Sequence, residues 1–432
     1  MHGLKGLSRV IYISLFLWFL LVVGWSNIHL RLLQAGSPRD LPFGVFLNSD
    51  GTMFVQDFSY NVLYLKGIGE QRVSRPYLLE NQEKLMRQVV PGLQSGMTHA
   101  YSPVAFVLVR PFLGLSGDKI YLIYTVLGAV ASLCLLYFYL LPRVQSIFQL
   151  YAIAAAVTGV CLTAAFATGQ STLITTPVLG ALWALLQKTN SPASLTRDSL
   201  LALLFWFLCL KPSVALVAFF PLLGVRNWRA LGISAALLLV TWTATAGYYG
   251  GWWPGLRDYY ALLSQYNPSD FPPFLRRGDD SAINHFLSVH APALTSHLFV
   301  LNRTLFLVMN LALIVARWGG RITASEHFQG AVWAFLLFSP YLLGSEYWIM
   351  VLLVVEGPFF SADALVPATL KFLLLFGILD LRSGVNASMD FSFPCKWLLF
   401  LWVVVAAILE RFRQKEWFGQ EEALSSPMPP TA

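Results

Sequence analysis

The sequence predicts an all-α, polytopic membrane protein with about 12 transmembrane or re-entrant helices. Hydrophobic residues make up 56% of the chain and charged residues only 12%, whereas soluble domains carry about 25% charged residues. The apolar residues also lie in long runs, and about 20 such residues span the hydrocarbon layer of a bilayer. Because lipid offers no hydrogen-bond partners, backbone groups must pair within their own segment, which selects helices.

Ten apolar runs are predicted to be membrane spans. They cover residues 10–25, 119–141, 149–167, 172–187, 229–247, 297–317, 329–343, 347–361, 365–381 and 396–411. The first run follows Lys5 and Arg9 and lacks a small-residue cleavage site, so we expect an uncleaved span rather than a signal peptide.

The apolar stretch 199–224 is interrupted at its middle by Lys211 and Pro212, and basic residues lie on both of its flanks. If both flanks are cytoplasmic, the stretch enters and returns as two arms of about 11 residues, each about 16 Å long. Such arms predict a re-entrant hairpin or a strongly tilted pair. A lysine in an apolar stretch costs about 2.5–3.5 kcal/mol on insertion scales. We therefore expect Lys211 to face a cavity and meet an anionic phosphate, or a carbonyl or carboxylate within the bundle.

The distribution of basic residues predicts the orientation in the membrane. The nine residues expected inside are Arg143, Lys188, Arg226, Arg229, Arg317, Arg321, Arg411, Arg413 and Lys415. This places both termini in the cytoplasm and the two long loops, 26–118 and 248–296, outside. The first loop is itself basic, but loops above about 60 residues are translocated largely regardless of charge. Residues 1–415 are predicted to form one domain, and 416–432 a disordered cytoplasmic tail.

Charge and cysteine usage exclude several classes of partner. The net charge of +7 fits basic cytoplasmic loops, and no basic cluster alternates with aromatic residues as a nucleic-acid groove requires. None of the four cysteines forms a close pair, which argues against a disulfide framework or a zinc site. Asp279 and Asp280 alone are a weak divalent-cation signal. The sequence thus predicts neither a metal nor a cofactor.

A short helix is predicted in the first outer loop, beginning at or just after Asp57. Phe58, Val62 and Leu65 fall on one apolar face, and Gly67 is a candidate C-terminal stop. Asp57 at this position has two interpretations, which local sequence leaves open. It is a helix cap, worth about 1 kcal/mol, or a carboxylate held at the membrane surface as a general base.

Other candidate residues lie in the outer segments. His99 and Tyr101 precede Pro103 and a short apolar run broken by Arg110, which is predicted to anchor at the interface or to contact a lipid phosphate. Gln170 lies at an outer turn, where it caps a helix or binds a sugar hydroxyl.

Two later outer segments carry further candidates. The second outer loop is rich in aromatic residues, which mark an interface belt or stack on sugars. It continues through Arg276, a candidate phosphate clamp, to Asn284. Glu346 follows the Ser339-Pro340 turn.

The order of these elements resembles glycosyltransferase family 87, the polyprenyl-phosphate-mannose-dependent mannosyltransferases of the C-type membrane fold. The resemblance covers about 57–348 and rests on seven elements in order: Asp57 at a first-loop helix, Tyr101-Ser102-Pro103, Gly169-Gln170, Lys211-Pro212, Arg226-Asn227-Trp228-Arg229, Ser281 to Asn284, and Ser339-Pro340. A histidine often found at the last element is missing, and Tyr341 or Glu346 occupies the region.

The resemblance implies roles for several residues. Asp57 matches the catalytic aspartate of the family, with Asp50 as the competing candidate. Tyr101, Gln170, Lys211 and Asn284 match elements that bind the donor, and Lys211, Arg75 or Arg276 would stabilise the departing phosphate. His99 is a candidate to support these groups without contacting the substrate, and Glu346 either does the same or lies in a solvated turn.

The implied activity is that of an inverting hexosyltransferase at the outer face of a plasma membrane. It moves a sugar, with mannose as the first candidate, from a polyprenyl-phosphate donor to a glycolipid or glycan acceptor. The main alternative is a transporter or lipid flippase, which also needs broken helices and intramembrane charges. A structural subunit of an envelope complex is the third alternative, and it would tolerate loss of both Asp57 and Lys211.

Overall fold

The computed structural model describes most of the chain. The described residues are 42–47, 53–55, 57–90, 101–158, 170–187, 194–265, 295–338 and 348–355, with parts of 13–28, 162–166, 367–374 and 397–408. Helices dominate this part of the chain. Its one sheet is an antiparallel pair of three-residue strands, Val45–Leu47 and Met53–Val55, with Val45 opposite Val55.

Besides the apolar helix Trp397–Ala406, thirteen helices follow the strands in the described residues up to 355. They are α1 (Asp57–Gly69), α2 (Leu79–Val89), α3 (Pro103–Val109), α4 (Gly117–Cys134), α5 (Ile147–Thr158), α6 (Thr172–Gln187), α7 (Leu195–Leu208), α8 (Pro212–Gly224), α9 (Trp228–Thr245), α10 (Trp252–Gln265), α11 (Thr295–Trp318), α12 (Ala324–Phe338) and α13 (Val351–Val355). A π-helical turn, Leu135–Leu140, extends α4. Short 3₁₀ turns extend α3 and α9.

Three helical segments are long and apolar enough to cross a membrane. They are Gly117–Arg143, Trp228–Tyr249 and Val300–Trp318, and they coincide with three of the predicted spans. Their surfaces expose large apolar side chains such as Phe138, Val240 and Val315. A face of this kind is unfavourable in water and favourable against lipid. Apart from the short strand pair, the predicted helical architecture is thus confirmed in the described residues, and these segments are compatible with a membrane protein.

The stretch predicted to break at Lys211 does so. Helices α7 and α8 contain 14 and 13 residues, so each rises about 20 Å, slightly more than the predicted arms. The turn Cys209–Lys211 separates them, and Pro212 occupies the first helical position, where its missing N–H costs no hydrogen bond. Asn227 caps the helix that follows, α9, by accepting a hydrogen bond from the Ala230 N–H at 3.1 Å.

The main core lies where α6 and α8 pack with α12 and α13. It contains a stacked pair, Trp183 and Phe328, whose ring centroids are 4.2 Å apart. Gly180 lets neighbouring elements approach α6 closely. A Cβ at Gly180 would lie 2.7 Å from Leu135 Cδ1 and 3.2 Å from Leu352 Cδ2. The absence of a side chain at this position therefore sets the distance between these elements.

We expect Gly180→Leu to destabilise the protein by about 1–3 kcal/mol, because it overpacks this contact. Gly232→Leu is the matched control, since Gly232 is an exposed residue within a helix and nothing lies within 4 Å of its added Cβ. Both substitutions raise the helix propensity of their position, so the difference in stability between the two variants reports the packing contact. Apparent melting temperatures in detergent measure it, and equal values for the two variants would contradict the close contact.

The segments predicted to lie outside the membrane pack into a second, smaller core on α1. Here the prediction that Gly67 ends this helix is wrong, because α1 continues to Gly69. The reversal follows at Gln71, which has a left-handed φ of 53°. Gly67 instead permits packing, since a Cβ there would lie 2.5 Å from Leu85 Cδ1 of α2. Glycine at this point is required by a neighbouring helix, which local sequence does not show.

Candidate functional site

The segment that begins α3 connects two parts of the chain more than 100 residues apart. Ser102 is the N-cap of α3, and Pro103 occupies its first position. The Ser102 hydroxyl also donates a hydrogen bond of 2.5 Å to the carbonyl of Cys209. Tyr101-Ser102-Pro103 is thereby held against the turn that precedes Lys211, whose Nζ is shielded from solvent.

Tyr101 itself reaches the predicted Gly-Gln element. Its hydroxyl lies 3.3 Å from the Ser171 hydroxyl, in a hydrogen bond in which either group can donate. The neighbouring Gln170 is buried, and its carbonyl accepts a hydrogen bond from the Tyr124 hydroxyl. We call Tyr101, Ser102, Gln170, Ser171 and the turn Cys209–Lys211 the Tyr101 cluster.

The start of α1 lies beside this cluster. Phe58 packs on Tyr124, with ring centroids 4.8 Å apart, and on Tyr121 at 5.5 Å. Tyr124 is the residue whose hydroxyl bonds to Gln170, so one aromatic ring separates the first turn of α1 from the Tyr101 cluster. Asp57 is the first residue of α1, as the sequence predicted, although its side chain lies outside the described atoms. Carboxylates at a helix N-terminus are stabilised as anions by the helix dipole.

A group of stacked aromatic residues supports the other side of the cluster. The Tyr77 hydroxyl donates a hydrogen bond of 3.1 Å to the Tyr101 carbonyl. Its ring stacks on Tyr249, with centroids 4.7 Å apart, and lies at the same distance from Tyr259. Burial raises the pKa of both Tyr77 and Tyr259 well above the ordinary phenol value. Both phenol groups are therefore neutral in the folded protein.

This sets an expected pH dependence of stability. A phenol in the unfolded chain has a pKa of about 10, and the folded value for Tyr77 is higher. The stability that the buried Tyr77 phenol contributes is complete below about pH 10, and it is lost as the pH rises through the folded pKa of Tyr77. We expect Tyr77→Phe to lower the apparent melting temperature at about pH 8, where a hydrogen bond worth about 1 kcal/mol is lost, yet to flatten the alkaline decline.

Tyr260→Phe is the control for this titration, because Tyr260 is 74% exposed. Melting curves of the three proteins between about pH 8 and 11 give the comparison. If the apparent melting temperature of Tyr77→Phe falls as steeply with rising pH as that of the native protein, ionisation of Tyr77 does not limit stability.

An ion pair joins the two predicted outer loops next to these aromatic rings. Arg75 Nε and Nη2 donate to Asp258 Oδ2 and Oδ1 at 2.8 and 2.7 Å. The hydrogen bonds with Asp258 raise the pKa of Arg75. Asp258 is only 4% exposed, whereas the Arg75 side chain is 38% exposed. The carboxylate is therefore buried behind a guanidinium that still reaches solvent.

Asp258 was not predicted as a site residue, because 248–296 was interpreted as a loop. The structure instead contains α10, an amphipathic helix in which Gly255, Asp258, Tyr259 and Leu262 share one face. The spacing i, i+3, i+4 and i+7 was the available signal. Pro254 in the first turn of the helix did not exclude it, because proline is tolerated there.

The structure brings together several of the predicted site residues. Tyr101, Gln170 and the turn at Lys211 meet in the Tyr101 cluster, and Asp57 begins the adjacent helix. Arg75 lies two residues before Tyr77, whose hydroxyl bonds to the Tyr101 carbonyl, and it is paired with Asp258. The remaining candidates lie outside the described residues; they are Asp50, His99, Arg276, Asn284 and Glu346.

Arg110, for which anchoring or phosphate contact was predicted, makes aromatic contacts. Its guanidinium lies 5.2 Å from the ring centroid of Tyr248 and 5.9 Å from that of Phe106. Arg110 Nη2 also donates to the Tyr248 hydroxyl at 3.0 Å. The side chain is thereby fixed to the end of the span Trp228–Tyr249, which favours the anchoring role.

No family model, no curated protein and no solved structure matches this chain. An assignment of function therefore has to come from the chemistry of the residues that the fold brings together.

Proposed function

We propose that the protein is an inverting membrane hexosyltransferase of the C-type fold, with about 12 transmembrane or re-entrant helices. Its donor is a polyprenyl-phosphate-sugar, with mannose as the first candidate sugar, and its acceptor is a glycolipid or glycan. The catalytic loops face outward from a plasma membrane, and both termini are cytoplasmic. One observation carries the proposal. Four elements distant in sequence, those of Asp57, Tyr101, Gln170 and Lys211, meet at one place beside apolar helices.

The chemistry needs one base and one stabilised leaving group. Asp57 accepts the proton of an acceptor hydroxyl as that oxygen attacks the anomeric carbon. The bond from this carbon to the phosphate oxygen breaks on the opposite face, and its electron pair leaves with the polyprenyl phosphate. Configuration at the anomeric carbon inverts. A single carboxylate suffices because a phosphate leaves without full protonation, unlike the alkoxide leaving group in glycoside hydrolysis.

Cationic and polar groups complete the proposed site. Lys211 lies at the turn held by Ser102, where a buried ammonium group favours an anionic neighbour. Charge that develops on the departing phosphate is stabilised by such a preorganised cation. Tyr101 and Gln170 offer hydrogen-bonding groups for the sugar. Arg276 and Asn284 from the second outer loop are the proposed additions to this set.

Donor profiling tests the proposal. Purified protein in detergent micelles is incubated with labelled polyprenyl-phosphate-linked hexoses and a glycolipid acceptor extract, and the transferred label is counted. Transfer from at least one donor is expected. A transporter or flippase has no compartment to cross in micelles, so absence of transfer, combined with movement of lipid-linked sugar across reconstituted vesicles, would overturn the enzyme proposal.

A further inference from the structure

We propose that Asp258 is a positioning residue that fixes Arg75 so that the free edge of its guanidinium binds the donor phosphate. This inference rests on the proposed glycosyl transfer and deepens it. It adds a residue from the second outer loop that no motif indicated. It also places the phosphate contact at the junction of the two loops.

The geometry of the pair leaves one edge of the guanidinium available. Nε and Nη2 of Arg75 both point to Asp258, which consumes one edge of the planar group. Among the described residues, Arg75 Nη1 donates to no acceptor. The guanidinium has five N–H donors, so a second planar or tetrahedral anion can be bound in addition to the carboxylate. Phosphate fits such an edge through two parallel hydrogen bonds.

Burial determines which partner positions the other. Asp258 is almost fully buried, and its orientation is set by α10, which packs through Tyr259 onto Tyr77. Arg75 is more exposed, and a long side chain of this kind loses rotamer entropy when it is fixed. The buried carboxylate therefore holds the arginine in one rotamer before a ligand arrives. Preorganisation of this kind increases affinity because less order is lost on binding.

The backbone of Arg75 is fixed as well as its side chain. Arg75 has a left-handed φ of 54°, a region that non-glycine residues rarely adopt and that marks functional or strained sites. Gly250, which itself has a φ of 78°, packs directly on it. A Cβ at Gly250 would lie 2.7 Å from Arg75 Cγ. The Asn81 side-chain amide adds a hydrogen bond of 3.2 Å to the Arg75 carbonyl.

A second arginine beside the carboxylate provides an internal control. Arg257 Nε lies 3.7 Å from Asp258 Oδ1, and the Arg257 side chain is 63% exposed. This distance exceeds that of a good hydrogen bond, so Arg257 does not use the carboxylate as a support. Loss of Arg257 should leave the orientation of Arg75 unchanged.

The test compares Asp258→Asn, Asp258→Glu and Arg257→Gln in the full-length protein. Transfer is measured with the best lipid-linked donor, and it is inhibited either by polyprenyl phosphate or by the matching neutral polyprenol. In Asp258→Asn, we expect the KM for the donor and the inhibition constant for polyprenyl phosphate to rise roughly 10-fold or more. Inhibition by polyprenol should not change. Asp258→Glu should recover part of the affinity, and Arg257→Gln should behave as the native protein.

The neutral inhibitor separates positioning from general loss of structure. If Asp258→Asn weakens inhibition by phosphate and polyprenol equally, the pair is only a structural link and the inference is overturned. Native inhibition by polyprenyl phosphate in Asp258→Asn overturns it as well, while ongoing transfer leaves the proposed function intact. Failure of the native protein to transfer from any donor or to bind polyprenyl phosphate overturns both.

Discussion

Asp57→Asn is expected to reduce sugar transfer by at least about 100-fold while leaving the fold intact. General-base catalysis contributes about 10²–10⁴ in rate, and an amide cannot accept the acceptor's proton. Asparagine is tolerated at a helix N-terminus about as well as aspartate, so this substitution leaves the start of α1 intact and removes the base. The measurement is the initial rate of transfer at saturating donor, alongside the apparent melting temperature.

Asp118→Asn is the matched control for this experiment. Asp118 is also an acidic residue in the first turn of a helix, α4, and it is exposed. Transfer by Asp118→Asn should equal that of the native protein. Retention of full transfer in Asp57→Asn would show that Asp57 is a cap alone and would remove the base from the proposed mechanism.

The features that sequence predicted well are those determined by solvent. The helices Gly117–Arg143 and Trp228–Tyr249, which are long and apolar enough to cross a membrane, match predicted spans. The energy of placing a side chain in lipid is contributed largely by each residue on its own. The break at Lys211-Pro212 is equally local, because proline cannot continue a preceding helix. The beginning of α1 at Asp57 agrees with the preference of acidic residues for the first turn of a helix.

The features that sequence missed depend on neighbours distant along the chain. Arg75 and Asp258 are separated by 183 residues, and neither residue carries a local sign of the other. Gly67 was predicted to end a helix. The contact with Leu85 that explains the glycine is tertiary, so the local sequence does not show it. The hairpin strand Val45–Leu47 was also missed, since three residues are too few to show a period of two.

The candidate site was predicted in part. The resemblance named Tyr101, Gln170 and Lys211 separately, and nothing in their local sequences states that they meet. Ser102 and Tyr124 join them through bonds to backbone carbonyls of Cys209 and Gln170. Every residue has a backbone carbonyl, so the residue type at the accepting position does not predict these bonds. They depend on the direction of the carbonyl in the folded chain.

The second large effect is expected from Gly250→Val, which should destabilise the protein by about 2–5 kcal/mol. Gly250 has a φ of 78°, and a left-handed backbone costs a residue with a Cβ about 1–2 kcal/mol. The added side chain would also meet backbone atoms, since its Cβ would lie 3.2 Å from the Arg75 nitrogen. Backbone cannot move aside as a flexible side chain does, and overpacking costs about 1–3 kcal/mol.

Gly247→Val is the matched control, because nothing lies within 4 Å of a Cβ at Gly247 and its φ is not positive. Apparent melting temperatures of both variants measure the difference, and Gly250→Ala should fall between Gly250→Val and the native protein. Because the clash displaces Arg75, Gly250→Ala should also weaken inhibition by polyprenyl phosphate more than inhibition by polyprenol. Equal stability of Gly250→Val and Gly247→Val would mean that the segments carrying Gly250 and Arg75 are not packed against each other, and the support for phosphate binding there would be lost.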